Sequence, residues 1–205
     1  HLGGIENDRF KTNEYHIYQK GALMTSVLEK PADLSLLPLP ETAVNLYTPK
    51  RPFSAKVVRK HRISDRSSPN HSWHVVLSLE GSEMVGRYRI GQSIGVVPNG
   101  RFNDATFNYV HNALTNQIRL YSIASACWGD DWKGETISLC VKREVKEDKE
   151  TGELVLGAAS NFICDAKPGD EMLITGPVGK NFLLPDDPHA HNYVFVATGT
   201  GIAPY

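Results

Sequence analysis

The sequence predicts an all-β, antiparallel six-stranded barrel with one short helix, followed by the opening strand of an α/β unit at the C-terminal end. Three observations predict it. Six short runs rich in β-branched and aromatic residues are separated by turn formers, one short segment between them reads as helix, and one continuous apolar run feeds a glycine-rich turn.

Residues 1–49 mix polar residues with a leucine and proline cluster at 31–40 that breaks any helix and has no sustained period, so they read as an extension or linker. The six β-rich runs follow at 53–59, 73–79, 93–97, 118–124, 136–141 and 172–175. Turn signals part them, among them Ser67, Ser68, Pro69 and Asn70, and Pro98, Asn99 and Gly100. The helical candidate spans 160–166 and is stopped by Lys167, Pro168, Gly169 and Asp170. The charged alternation from Lys142 to Glu153 reads as a solvated hairpin. The apolar run 193–197, feeding Thr198, Gly199, Thr200 and Gly201, reads as a buried parallel strand that ends in a phosphate-binding turn. The expected organisation is therefore an extension at 1–49, a barrel domain at 50–190 and the start of a second domain at 191–205.

Gross composition bounds the function. With 205 residues and 40% hydrophobic content the chain can bury one good core. A formal net charge of −1 provides no overall field for nucleic acid or an anionic membrane. Cys127, Cys140 and Cys164 form no CxxC pair, which points to thiols in a reducing compartment. No apolar run approaches the roughly 18 residues that span a bilayer, so a soluble protein is expected. The chain starts at His1 without methionine and stops at Tyr205, which reads as a processed or excised piece whose second domain is cut short.

The chemistry is carried by three clusters. Arg119, Leu120, Tyr121 and Ser122 put a guanidinium, an aromatic face and a hydroxyl on one strand, the set that would clamp a diphosphate and stack on an electron-carrying ring. Gly157, Ala158, Ala159, Ser160 and Asn161 open a helix whose free amides can face the same anion. Gly199, Thr200, Gly201, Ile202, Ala203 and Pro204 close the chain.

With Cys140, Val141 and Lys142 between the first two clusters, the order and near-spacing of these motifs over residues 50–205 resemble the ferredoxin–NADP⁺ reductase family. The resemblance implies an FAD-binding β-barrel and a Rossmann-like NADP(H)-binding domain. It implies that Arg119 clamps the FAD diphosphate, that Tyr121 stacks on the isoalloxazine, and that Ser122 hydrogen-bonds near flavin N5 as an aid to geometry. It further implies that Leu120, Cys140, Val141 and Lys142 line the cofactor, that Gly157, Ala158, Ala159 and Ser160 approach FAD, and that Thr200 lies beside both cofactors. Ferredoxin or flavodoxin is the implied electron partner, within a possible larger electron-transfer complex, and a plastid stroma or bacterial cytoplasm is the implied compartment.

Three departures qualify it. Ala159 stands where plant-type members carry a cysteine, and Lys146 where they offer a tyrosine to the adenine, so an aromatic among Phe102, Phe107, Tyr109 and His111 is a candidate replacement. The chain carries only the start of the NADP domain, and truncation, disorder and supply by a partner chain are the open readings of the remainder. An FAD-containing reductase component of a bacterial oxygenase and a non-catalytic flavin-binding subunit are the rival readings. No metal is expected, because the His71/His74 and His189/His191 pairs lack a third ligand at a recognisable distance. The cations at 50, 51, 56, 59, 60 and 62 form a basic cluster that could dock an acidic electron carrier.

Overall fold

The computed structural model describes residues 40–98, 117–187 and 190–205, together with two short strands, β1 (Tyr18–Gln19) and β2 (Ala22–Leu23). These two pair antiparallel as a small unit of their own. The leucines at 34, 36, 37 and 39, the aromatics proposed over the adenine at 102, 107, 109 and 111, and His189 lie outside the described residues.

The main body is an antiparallel sheet of six strands with one helix. Its strands are β3 (Phe53–Arg62), β4 (Ser72–Ser78), β5 (Ser93–Val97), β6 (Arg119–Ser122), β7 (Thr136–Lys142) and, after a small hairpin and the helix, β10 (Glu171–Val178). All six runs read as strands in the sequence are strands here. Their order across the sheet is β6-β5-β10-β3-β4-β7. β10 inserts between β3 and β5, so the last strand of the series is held by two of the first three. Beyond the end of β6, Ile123 makes an isolated antiparallel bridge to Leu139 of β7, and the Ala124 N–H donates to Ser138 O at 2.8 Å.

Alternating side chains of these strands form the core: Val57, Val75, Leu77, Ile94, Val96, Ile137, Leu139, Val141, Met172 and Ile174 are all buried. Residues before β3 join it. Ala43 and Tyr47 are buried, and the Tyr47 backbone pairs with Gly176, a glycine at φ 112° where the β10 ladder shifts register.

The helix α1 (Ala158–Asp165) begins two residues earlier than the sequence indicated, because Gly157 is still extended (φ −64°, ψ 119°) and two alanines, the best helix formers, follow it. It ends at Asp165 rather than Ala166, which is extended ahead of Lys167 and Pro168. Phe162, Ile163 and Cys164 bury its inner face in the core.

The hairpin expected between β7 and α1 is present as β8 (Val145–Glu147) and β9 (Leu154–Leu156). Its turn is built on Asp148, whose Oδ1 accepts the Glu150 and Thr151 amides at 2.9 Å each. Val145, Leu154 and Val155 remain exposed.

The C-terminal segment departs from expectation. Residues 193–197 form no strand, and Val194 and Val196 are 89% and 82% exposed. A buried parallel strand needs ladder partners and covering layers, and the described body sets none beside this run. The following glycines form a short 3-10 helix, Gly199–Ile202, in place of a strand-to-helix phosphate turn.

Candidate functional site

A cavity of about 440 Å³ opens where β6, the end of β7 and the start of α1 meet, a size within the range of small-molecule sites. It is lined by Arg119, Leu120 and Tyr121 from β6, by Cys140, Val141, Lys142 and Glu144 from β7 and the segment after it, by Gly157, Ala158, Ala159 and Ser160 from the helix start, and by Thr200. Three separate clusters of the sequence are thus brought to one place. Of the residues expected at the cofactors, Ser122 alone does not line the cavity: it is exposed at the end of β6, opposite Ser93. Asn161 and the rest of the closing glycine-rich motif apart from Thr200 also lie outside the lining.

Two cations and a set of amides give the cavity its character. The Arg119 guanidinium donates to Gln117 Oε1 (3.1 Å) and the Ile118 carbonyl (3.4 Å), and among the described residues it has no carboxylate partner. Lys142 is exposed at the end of β7. At the helix start no side chain caps the amides, and the first helical bond is donated by Asn161 N to Gly157 O at 3.0 Å, so the N–H groups of the preceding turn point outward with the positive end of the helix dipole.

Gly157 has no room for a side chain: a Cβ would meet Ser160 Oγ at 2.7 Å and Glu144 Cβ at 2.9 Å. The glycine lets the chain of the 143–144 segment close on the helix start. Glu144 N donates to Ser160 Oγ at 3.2 Å, and Gly157 N donates to Glu144 O at 2.9 Å.

Tyr121 packs its ring against the core, and burial pushes its phenol up to about 12, with the Cys164 thiol adding to the shift and Arg119 opposing it. It is a neutral aromatic face at any working pH. Burial likewise raises Cys140, which keeps that thiol protonated and apolar in character. Ala159 is buried and contributes no polar group.

Glu144 was not legible as a site residue. Its carboxylate at the cavity is paired with Lys146 Nζ at 3.3 Å, which offsets the charge it would otherwise present to an anion. Lys146, at the position expected to lack an aromatic, therefore has an electrostatic partner of its own.

The basic cluster is largely engaged with its own chain. Arg51 donates to Glu83 and to Leu46 O, Arg59 to Asp130, and Arg62 to Ser64 and to the carbonyls of Asp65 and Ser68. Lys60 donates to Cys164 O at 2.6 Å and lies 4.7 Å from the Trp73 ring centroid. These bonds hold the cations against the body, and a docking role has no separate support. Asp130 also takes His74 Nε2 at 2.7 Å; burial alone would raise this carboxyl, but the His74 hydrogen bond and the charges of His74 and Arg59 prevail and hold it low. The His61 ring lies tilted at 40° to that of His74, with centroids 5.1 Å apart, and burial, with that neighbour, lowers its pKa. Among the described residues no group of three or more His, Cys, Asp or Glu side chains is placed to hold a metal ion, and no helix is long and apolar enough to cross a membrane.

Comparison with known proteins gives a consistent result. No protein-family model matches the chain. A chloroplastic leaf isozyme of ferredoxin–NADP reductase from Arabidopsis thaliana is 45% identical over 162 residues, which is 79% of this chain and 41% of that protein. The chloroplastic embryo isozyme from Oryza sativa subsp. japonica is 42% identical over 187 residues, 90% of this chain and 47% of that one. The chain belongs to the ferredoxin–NADP reductase family. Among solved structures, ferredoxin–NADP⁺ reductase from Plasmodium falciparum superposes with a TM-score of 0.59 at 32% identity, covering 78% of this chain and 53% of that one. A second structure of the Plasmodium falciparum enzyme, with 2′P-AMP, gives the same TM-score at 29% identity over 80% of this chain. The chain spans about two fifths of the length of the first curated relative and about half of the solved ones.

Proposed function

We propose that residues 50–190, with 43–48 packed onto them, form the FAD-binding barrel of a ferredoxin–NADP(H) oxidoreductase, and that 191–205 open its NADP(H)-binding, Rossmann-like domain. The Ile123–Leu139 bridge, set against the two ends of the six-strand order, supports closure of the sheet into a barrel. The observation that carries the functional reading is the cavity itself: Arg119, Tyr121, Lys142 and the uncapped start of α1 line one space.

That donor set fits FAD. A diphosphate needs bidentate cationic and amide donors, and a flavin ring needs a flat apolar face; the cavity supplies both, and the one carboxylate among its described lining residues, Glu144, is already paired. Arg119 and the helix start would hold the diphosphate, Tyr121 would carry the ring, and Cys140 and Val141 would exclude water along its edge. Ser122, exposed at the end of the same strand, would place its hydroxyl toward the ring's N5 edge, and Thr200 would approach from the C-terminal side. When bound, FAD would supply the conversion between one-electron transfer with ferredoxin or flavodoxin and hydride transfer with NADP(H). The chain's residues bind, orient and desolvate; none of them is required as a nucleophile. The chloroplastic relatives favour a plastid stroma as the working compartment.

Titration of the 205-residue chain with FAD, followed by visible absorption and by quenching of flavin fluorescence, tests this reading. Saturable binding that Arg119→Ala weakens is expected. A chain that folds and binds no flavin would overturn it.

A further inference from the structure

Asn161 is 0% exposed, and every polar atom of its side chain is engaged. Its Nδ2 donates to two carbonyls at 2.8 Å each, Glu144 O and Gly157 O, and its Oδ1 accepts from Arg143 Nη1 at 2.7 Å. One side chain thereby ties the segment that follows β7 to the residue that precedes α1. Arg143 is fixed in turn: its backbone N–H donates to His71 O at 2.8 Å, and its second terminal nitrogen pairs with Asp165 in the last turn of α1. The far end of the same helix is anchored by Lys60, which donates to Cys164 O at 2.6 Å.

The consequence is mechanical. The amides that face the cavity belong to the residues just after Gly157, and their direction depends on where the helix start sits relative to Lys142 and Glu144. The buried amide adds one hydrogen bond to each side of the junction, beside the backbone bonds from Gly157 N to Glu144 O and from Asn161 N to Gly157 O, and so narrows the play between the two segments.

We propose that Asn161, oriented by Arg143, is a positioning residue for the phosphate-bearing half of the dinucleotide: it aims the α1 amides, without touching the ligand, and leaves the ring half of the site to Tyr121 and Cys140. The proposal rests on the reading of the cavity as an FAD site. Neither residue was assigned such a role by the sequence, in which Asn161 closes the Gly-Ala-Ala-Ser-Asn motif and Arg143 sits in a run of charges.

The test separates the two halves of the ligand. The 205-residue chain and its Asn161→Ala and Arg143→Met variants are titrated with FAD and with riboflavin, which lacks phosphate, by flavin fluorescence, alongside thermal melts. A drop in FAD affinity of about tenfold or more, with riboflavin affinity within about twofold of the parent, is expected for both variants. Equal loss of both ligands, or no loss of either, would mean that the network serves the fold alone and would overturn the proposal. If Asn161→Ala fails to fold, Arg143→Met decides, since that side chain lies partly at the surface. Failure of the parent chain to bind FAD would instead remove the cofactor reading on which the proposal stands, an outcome distinguishable because it needs no variant.

Discussion

The walls of the cavity and the segment that ends the chain are built from equally suggestive sequence, yet only the first takes up the structure that its residues suggest. Arg119, Tyr121, Cys140, Val141, Lys142 and the helix start come together because each rides on an element whose ladder or core contacts lie within the body: β6 pairs with β5, β7 with β4, and α1 buries Phe162 and Ile163. The run 193–197 is as apolar as any of these strands, but nothing in the described body pairs with it, and it lies exposed. Hydrophobic sequence specifies a buried strand only when a neighbour supplies the hydrogen bonds. Thr200 nevertheless reaches the cavity, carried there by a short 3-10 turn in place of a strand.

The contrast can be broken or sharpened by substitution. Leu139→Ala, in the buried centre of β7 and at the Ile123 bridge, should cost about 2–5 kcal/mol of unfolding free energy by chemical denaturation, the range for large-to-small core changes. A loss below about 1 kcal/mol would mean that the β7 side of the sheet is not a packed core. Gly157→Ala should destabilise by about 1–3 kcal/mol, as overpacking does, because its Cβ would collide with Ser160 and Glu144; it should weaken FAD binding as well, since the helix start must shift. Arg119→Ala should leave the melting temperature nearly unchanged and weaken FAD by about 1.5–3 kcal/mol, the worth of a charge-assisted hydrogen-bonding partner. At the other extreme, the paired change Val194→Ser and Val196→Ser should alter stability by no more than about 0.5 kcal/mol, as exposed substitutions do. A larger loss would show that the segment packs against the body in solution.

Acid and alkali should act on the body through different groups. His61 is held below its ordinary value of 6.5 and Asp130 below 3.8, so the unfolded chain takes up protons first as pH falls; the stability these groups contribute is full above 6.5 and declines through their lowered values. Cys127, Cys140 and Cys164 are raised from 9.0, Cys164 to about 11, so their contribution is full below 9.0 and is lost as pH climbs. Melting temperature should therefore be flat between these limits and fall on both sides, and His61→Asn should flatten the shoulder just below 6.5.

Much of this was legible in the chain because its signals are local. Alternation and β-branched residues mark each of the six strands, and the order of Arg119, Tyr121, Lys142 and Gly157 along the sequence marks the site. What was hidden depends on distant partners. The insertion of β10 between β3 and β5 leaves no trace in either segment. Glu144 looked like one more charge in a solvated run until its backbone bonds to the Gly157 N–H and the Ser160 hydroxyl drew it to the cavity. The basic residues of β3 read as a free patch because Asp130, which takes Arg59, is far from them in sequence. Asn161 was visible as a letter of a motif, but its work lies in two carbonyls and a guanidinium that only the fold brings within reach.

The hairpin β8–β9 is the opposite of that buried amide. Its side chains are exposed along nearly the whole of both strands, and its turn is closed by Asp148 from within. Nothing in the core relies on the tip at residues 148–152, so it is the natural splice point of the body: a reporter peptide or a small folded module grafted there would ride at the edge of the cavity while the sheet beneath kept its register.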